Sequence, residues 1–422
     1  MTKYTEVELP YGDSFLKAKV PTKNLSYILN SKYIKGLEDE QGAITSSLRD
    51  PIGRPPLYDC INKNDKVVVL VTDNTRPCPD DRLLPPILAE LERKIPIENI
   101  TIIVAVGLHP PLTEPQLVKK LGKDIVDNYN VVNHDVNQCV YIGTTSRGTP
   151  VDINKRVVDA DFRLSTGFIE PHWFAGFSGG RKSIAPGVFS VRSAYKNHSY
   201  SMLDHPRSIS GIIKGNIVHE DLVEQAKMAN LNFIVNVILN KNREITHIVA
   251  GDPVKAHEKG CEMEADISQA KAPHKVDITI TTNGGAPLDL DLYQACKGMN
   301  TASRITRDGG IVIIASACGD GKGPEEFVEL HASVSSPKEV LQKIRREEPI
   351  GVQWQNQILA RDQLRNDFYL VSCIDDKTVR DMMITPIRTI EEGLEKALQI
   401  IGDNAEIAVI PEGPLVVPVL ED

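Results

Sequence analysis

The chain contains no apolar run approaching the ~20 residues that a membrane-spanning helix needs, so no membrane partner is expected. Its opening residues, Met1-Thr2-Lys3-Tyr4-Thr5-Glu6, lack the apolar core of a signal peptide, and a cytoplasmic location is the expectation. The seven cysteines (60, 78, 139, 261, 296, 318 and 373) include no C-x-x-C pair. Neither a disulfide framework nor a thiolate zinc site is therefore indicated. H-E-x-x-H is missing too, which removes the commonest helical zinc-protease signature. There is no basic excess: 48 Lys and Arg against 57 Asp and Glu give a net charge of −9, which argues against a nucleic-acid partner. A local pocket of Arg, Lys and His can still hold a small anion against so weak a global field. No short-period repeat or low-complexity tract interrupts the chain.

What is present is ordinary globular material, 41% hydrophobic and 25% charged, over 422 residues. That length exceeds one ordinary core, so two or three domains are expected. Alternation in Thr5–Leu9 and Phe15–Val20 about a Tyr11-Gly12-Asp13-Ser14 turn predicts a β-hairpin. The pattern then changes to short continuous apolar runs. Lys66–Thr72 and Asn99–Val106 read as buried strands, and between them Leu83, Leu84, Ile87, Leu88 and Leu91 recur at helical spacing. Strand, helix, strand of this kind predicts a parallel α/β sheet. The same grammar returns in Val276–Thr281, Gly310–Ala315 and Glu406–Ile410, after a Lys271-Ala272-Pro273-His274 stretch that reads as a linker. The expectation is two α/β domains with largely parallel sheets: residues 1–270, carrying cofactor-binding and acid/base groups, and residues 271–422, contributing substrate-binding groups.

Ligands of open parallel sheets sit at the carboxyl ends of strands. Three predicted strand ends carry reactive side chains: Asp73-Asn74-Thr75-Arg76-Pro77, Gly107-Leu108-His109, and Glu170-Pro171-His172. Taken alone, Asp73 with Arg76 is equally an ion pair with a cap, and His109 a packed loop histidine. The third end runs on through Trp173, Phe174, Gly176, Ser178, Gly179, Gly180, Arg181 and Lys182. Glycines let backbone N–H groups approach a phosphate, and an arginine beside a lysine favours the neutral, nucleophilic amine. The loop is not a Walker motif, since Arg181 stands where the second glycine belongs. His198, seen singly, is as consistent with a structural role, and His205, His219, His257 and His274 show no partner at ligand spacing. Further on, Tyr293, Gln294 and Lys297 fall on a helix after Asn283-Gly284-Gly285, an amide and an ammonium suited to a small carboxylate. Trp354 stands between two glutamines, a large ring that needs something to cover.

Together these motifs, in this order from about residue 65 to Trp354, resemble the nickel-pincer lactate racemases. The resemblance implies an isomerase that interconverts D- and L-lactate, or a similar short 2-hydroxy acid, by hydride transfer. It implies a nickel-bearing pyridinium-3-thioamide-5-thiocarboxylate mononucleotide linked covalently to Lys182, with His198 completing the metal's coordination. It further implies His109 and His172 as the acid/base pair. Asp73, Thr75, Ser178, Gly179, Gly180 and Arg181 would surround the cofactor. Arg76, Tyr293, Gln294, Lys297 and Trp354 would surround the substrate, in a cleft between the two domains. Cofactor-synthesis and nickel-insertion enzymes are the implied partners. The alternatives are a racemase or epimerase of a larger acid such as malate or a sugar acid, and a non-catalytic protein that binds an anion or nucleotide.

Overall fold

The computed structural model describes residues 3–421 and divides into two compact units. The first unit comprises Tyr33–His198 and His205–Ile267; the second comprises residues 3–32, Ser199–Asp204 and residues 268–421.

The first unit is built on a six-stranded sheet. Its strands run in the order Ile245–Gly251, Phe233–Leu239, Phe162–Phe168, Val67–Thr72, Ile100–Ala105, Asn130–Asn133. All neighbours are parallel except the first pair. Val67–Val71 is buried throughout, as a strand covered on both faces must be, which is why its sequence is one unbroken β-branched and leucine run. The helix Asp80–Glu92 lays Leu83, Leu84, Ile87, Leu88 and Leu91 into the same core, the stripe expected from their spacing.

The second unit carries a wholly parallel six-stranded sheet, ordered Thr385–Ile387, Asp367–Val371, Thr306–Ala315, Val276–Thr282, Ile407–Ile410, Leu25–Ile28. The predicted hairpin forms as Tyr4–Tyr11 against Ser14–Pro21. Its Val7, Leu9, Ala18 and Val20 join the core of this sheet rather than that of the first unit. A single cut at residue 270 therefore misassigns the N-terminus: Leu25–Ile28 is the edge strand of the second unit, hydrogen-bonded to Ile407–Ile410. The stretch read as a linker is also structured, because Gln269–Ala272 pairs in parallel with Val417–Leu420. Among the described residues no helix is long and apolar enough to cross a membrane.

Candidate active site

In the first unit Val67–Thr72 lies between Ile100–Ala105 and Phe162–Phe168. With strands spaced about 4.8 Å, the three carboxyl ends lie within roughly 10 Å of one another. Each feeds one of the loops singled out from sequence. Asp73 follows its strand directly and is buried. Its Oδ2 lies 2.5 Å from Nδ1 of His109, and its Oδ1 accepts from the Thr75 hydroxyl at 2.7 Å and the Thr75 N–H at 3.2 Å. Burial alone would raise the Asp73 carboxyl, but the His109 hydrogen bond and the Arg76 charge outweigh it and hold the group below its usual range. A carboxylate therefore faces Nδ1, so that nitrogen donates, and in the neutral ring the lone pair is on Nε2. Thr75 serves the Asp73 carboxylate, and both of its donors are used there.

The third loop folds back on itself. Pro171–His172 pairs antiparallel with Gly176–Phe177, and His172 sits opposite Gly176. That turn needs glycine: Gly176 has φ +78°, and a Cβ there would fall 2.2 Å from the Ile212 carbonyl oxygen. The Ala175 N–H donates to His172 Nδ1 at 3.3 Å, so in the neutral ring the hydrogen rests on Nε2. Phe174 meets two imidazoles edge-on, its centroid 4.6 Å from that of His172 and 5.0 Å from that of His198. His198 closes the helix Val191–Asn197, and Asn197 is fixed by a 2.6 Å hydrogen bond to the buried Asp221. Burial first, and then the nearby Lys182 charge, push His198 down to about 3, so the imidazole is neutral and its lone pairs are not lost to protonation. Lys182 itself lies in the single turn Gly180–Ser183.

The glycine-rich loop turns several of its polar groups toward the protein itself. The Ser178 hydroxyl donates to the Phe168 carbonyl and accepts from the Glu170 N–H, each at 2.9 Å. The Gly180 N–H donates to Asn236 Oδ1 at 2.7 Å. At Gly179, with φ +76°, a Cβ would stand 2.7 Å from that same Asn236 oxygen. These glycines admit a neighbouring side chain of the protein, and the Gly180 donor is occupied by it. Arg181 is fully buried and donates to the carbonyls of Ala175 (2.7 Å), Gly179 (3.2 Å) and Ser178 (3.4 Å), which makes it an internal strut. Burial lowers its guanidinium to about 10, with Cys261 opposing the shift. His257 packs under the loop, its Nε2 2.8 Å from the Ser178 carbonyl and 2.9 Å from Arg181. Sequence reasoning passed over His257 because both partners lie more than 70 positions away, and no local pattern marks it.

In the second unit the helix Leu292–Ser303 is capped by Asp291, whose side chain accepts from the Gln294 N–H at 2.7 Å. Tyr293, Gln294 and Lys297 stand on its first turns, each half-buried. Trp354 opens the helix Gln353–Gln363 and donates from Nε1 to the Tyr293 hydroxyl at 3.1 Å. Phe327 meets the Tyr293 ring edge-on at 5.4 Å. Tyr293 and Trp354 are thus brought together within this unit. Among the described residues no cluster of three His, Cys, Asp or Glu side chains could hold a metal unaided.

The model of the lactate racemase N-terminal domain matches residues 11–211, and that of the lactate racemase C-terminal domain matches residues 271–418. The lactate racemase of Thermoanaerobacterium thermosaccharolyticum is 38% identical, the match spanning 97% of this chain and 98% of that protein. That of Lactiplantibacillus plantarum is 37% identical over 96% of this chain and 98% of its own length. The solved lactate racemase apoprotein from T. thermosaccharolyticum superposes with a TM-score of 0.94, at 37% identity, covering 99% of this chain and 100% of that one. A Thermotoga maritima protein of 16% identity shares the fold alone, with a TM-score of 0.67 over 92% of this chain and 100% of its own. On two domain models and two full-length relatives, the chain belongs to the lactate racemase family.

Proposed function

We propose that the chain is an isomerase that racemises lactate, with His109 and His172 handling the hydroxyl proton and Lys182 and His198 holding a nickel-pincer mononucleotide. The observation that carries this reading is that His172 and His198 both pack against the one ring of Phe174, and His198 is held there as a neutral imidazole able to serve as a ligand.

The residues fit the metal-bearing end of such a cofactor. A neutral imidazole together with soft sulfur donors suits Ni(II), and Lys182, whose charge reaches His198, is the residue proposed for attachment. They fit its phosphate less well, because Thr75, Ser178 and Gly180 spend their donors inside the protein and the terminal nitrogens of Arg181 serve backbone carbonyls. When bound, the cofactor supplies a reversible hydride acceptor for Cα.

The chain's own part is proton handling and orientation. His109 takes the hydroxyl proton at Nε2, while Asp73 holds the ring and stabilises the imidazolium that forms. His172, whose Nε2 carries the hydrogen, donates a hydrogen bond to the substrate oxygen. For the opposite enantiomer the two imidazoles exchange tasks, which requires His172 to give up its 3.3 Å contact with Ala175. Arg76 binds the carboxylate, and Tyr293, Gln294, Lys297 and Trp354 complete recognition of the acid. Cofactor-synthesis and nickel-insertion enzymes are the partners this reading requires.

The test is coexpression with those enzymes, followed by intact mass, nickel content and a chiral assay across lactate, malate and sugar acids. Expected are an adduct of several hundred daltons that disappears in Lys182→Ala, stoichiometric nickel, and interconversion of the lactate enantiomers. An unmodified, metal-free and inactive chain from cells proven to make the cofactor would overturn the proposal.

A further inference from the structure

Beneath the loop that bears Asp73 and Arg76 lies a buried ion pair with no part in the proton chemistry. Lys120 Nζ lies 3.0 Å from Asp80 Oδ2, with side chains 8% and 0% exposed. Asp80 also accepts from the Thr72 hydroxyl at 2.7 Å and the Thr166 hydroxyl at 2.5 Å, at the ends of two neighbouring strands. The same ammonium donates to the carbonyls of Arg76 (3.2 Å) and Cys78 (2.8 Å). Lys120 stands on the helix Glu114–Leu121, reached directly from His109 through Pro110, Pro111, Leu112 and Thr113. One ion pair thus ties together the segments that leave all three strands: the Asp73 loop, the His109 loop with its helix, and the strand that runs on to His172.

Burial opposes a charged Lys120, and Asp80, with a smaller contribution from Asp73, more than offsets it. A pair of this kind adds little net stability over an apolar substitute, but it fixes register because both charges must meet. Lysine suits the place: a compact ammonium can serve one carboxylate and two carbonyls at once, which the planar fork of arginine cannot.

We propose that Lys120 and Asp80 are positioning residues that set the His109–Asp73 hydrogen bond and the Arg76 loop for reaction. The consequence for turnover rests on the racemase reading; the geometric consequence does not.

The experiment compares the parent full-length chain with Lys120→Met and with the charge-free double variant Lys120→Met/Asp80→Asn. The amide of the double variant can accept from the Thr72 hydroxyl through its oxygen and donate to the Thr166 oxygen, whose own proton can turn to the Leu70 carbonyl, so it is expected to fold even where the single variant does not. In unloaded protein the low-field proton signal of His109 Nδ1–H, identified by its loss in His109→Gln, is expected to vanish in the folded double variant. In cofactor-loaded protein kcat is expected to fall by about a hundredfold, the effect of ångström-scale misplacement. A folded double variant that keeps both the signal and a kcat within about threefold of the parent would refute the proposal, since a tenfold change is only about 1.4 kcal/mol. Loss of the signal alongside a loaded parent that does not racemise lactate would overturn the functional reading while upholding the positioning role.

Discussion

Asp73 and His109 meet at 2.5 Å across the ends of neighbouring strands, one carboxylate oxygen on the imidazole and the other on Thr75. Asp73→Asn keeps the shape, but its amide no longer offers two charged acceptors, so Nδ1–H loses its fixed partner. In loaded protein kcat is expected to fall on the order of 100-fold or more, with a smaller change in KM. Because the folded carboxyl is depressed, its stabilisation is complete above the ordinary aspartate range. It is lost as pH falls through the lower folded value. Melting curves of parent and variant should therefore converge in strong acid and separate above about pH 4. Curves that stay parallel down to strong acid would contradict this.

Acid should unfold the protein through its histidines. His198 and His257 are pushed down to about 3 and His219 to about 2, burial being the main cause in each. His219 and His257 stack at 5.9 Å, and Arg181 opposes the protonation of both. In the unfolded chain each titrates near 6.5, so below that pH the unfolded state takes up protons that the fold refuses. Their stabilisation is full above about pH 6.5 and declines as pH falls, by about 1.4 kcal/mol per pH unit for each histidine. Urea titrations between about pH 7 and 4 measure this slope, and His257→Gln should make it shallower by about one histidine's share. An unchanged slope in that variant would disprove the assignment.

Gly176→Ala should damage both fold and activity. The substitution forces an L-residue to φ +78° and sets its methyl against the Ile212 carbonyl oxygen, a backbone atom that cannot step aside. A loss of about 2–3 kcal/mol in chemical denaturation is expected. His172 is its cross-strand partner, so the loaded enzyme should lose kcat beyond what its folded fraction explains.

Arg181→Met removes the strut of the lysine loop. Carbonyls of Ala175, Ser178 and Gly179 lose their common donor, and destabilisation of roughly 2–4 kcal/mol should follow. Faster proteolysis within residues 175–183 would locate the damage. Protection equal to the parent would show that Arg181 holds nothing there.

The strand-end positions are legible in the sequence because the signals are local. A buried parallel strand announces itself as an unbroken apolar run, and the residues just beyond its carboxyl end stand at the rim, as Asp73 and His109 do. Only the location follows from such a pattern. That Ser178 and Gly180 turn their donors inward depends on Phe168 and Asn236, and that Arg181 is buried depends on His257. Glycines required by a protein neighbour and glycines required by a phosphate give the same sequence. The N-terminal segment was assigned to the wrong unit for a related reason: Leu25–Ile28 is short and unremarkable, and its partner is Ile407–Ile410. No window of neighbouring residues contains that pairing.

The same pairing imposes an order on biosynthesis. Leu25–Ile28 leaves the ribosome early, yet its hydrogen-bonding partner emerges roughly 380 residues later. At about 5–20 residues per second that interval is roughly 20–75 s. The strands Val67–Thr72 through Ile245–Gly251 are all synthesised within it, so the first unit can close its sheet while the N-terminal segment is still waiting. Residues made long before their partner are thus among the last to find their place, and a nascent chain stalled before residue 407 carries one finished sheet and one unpaired edge strand.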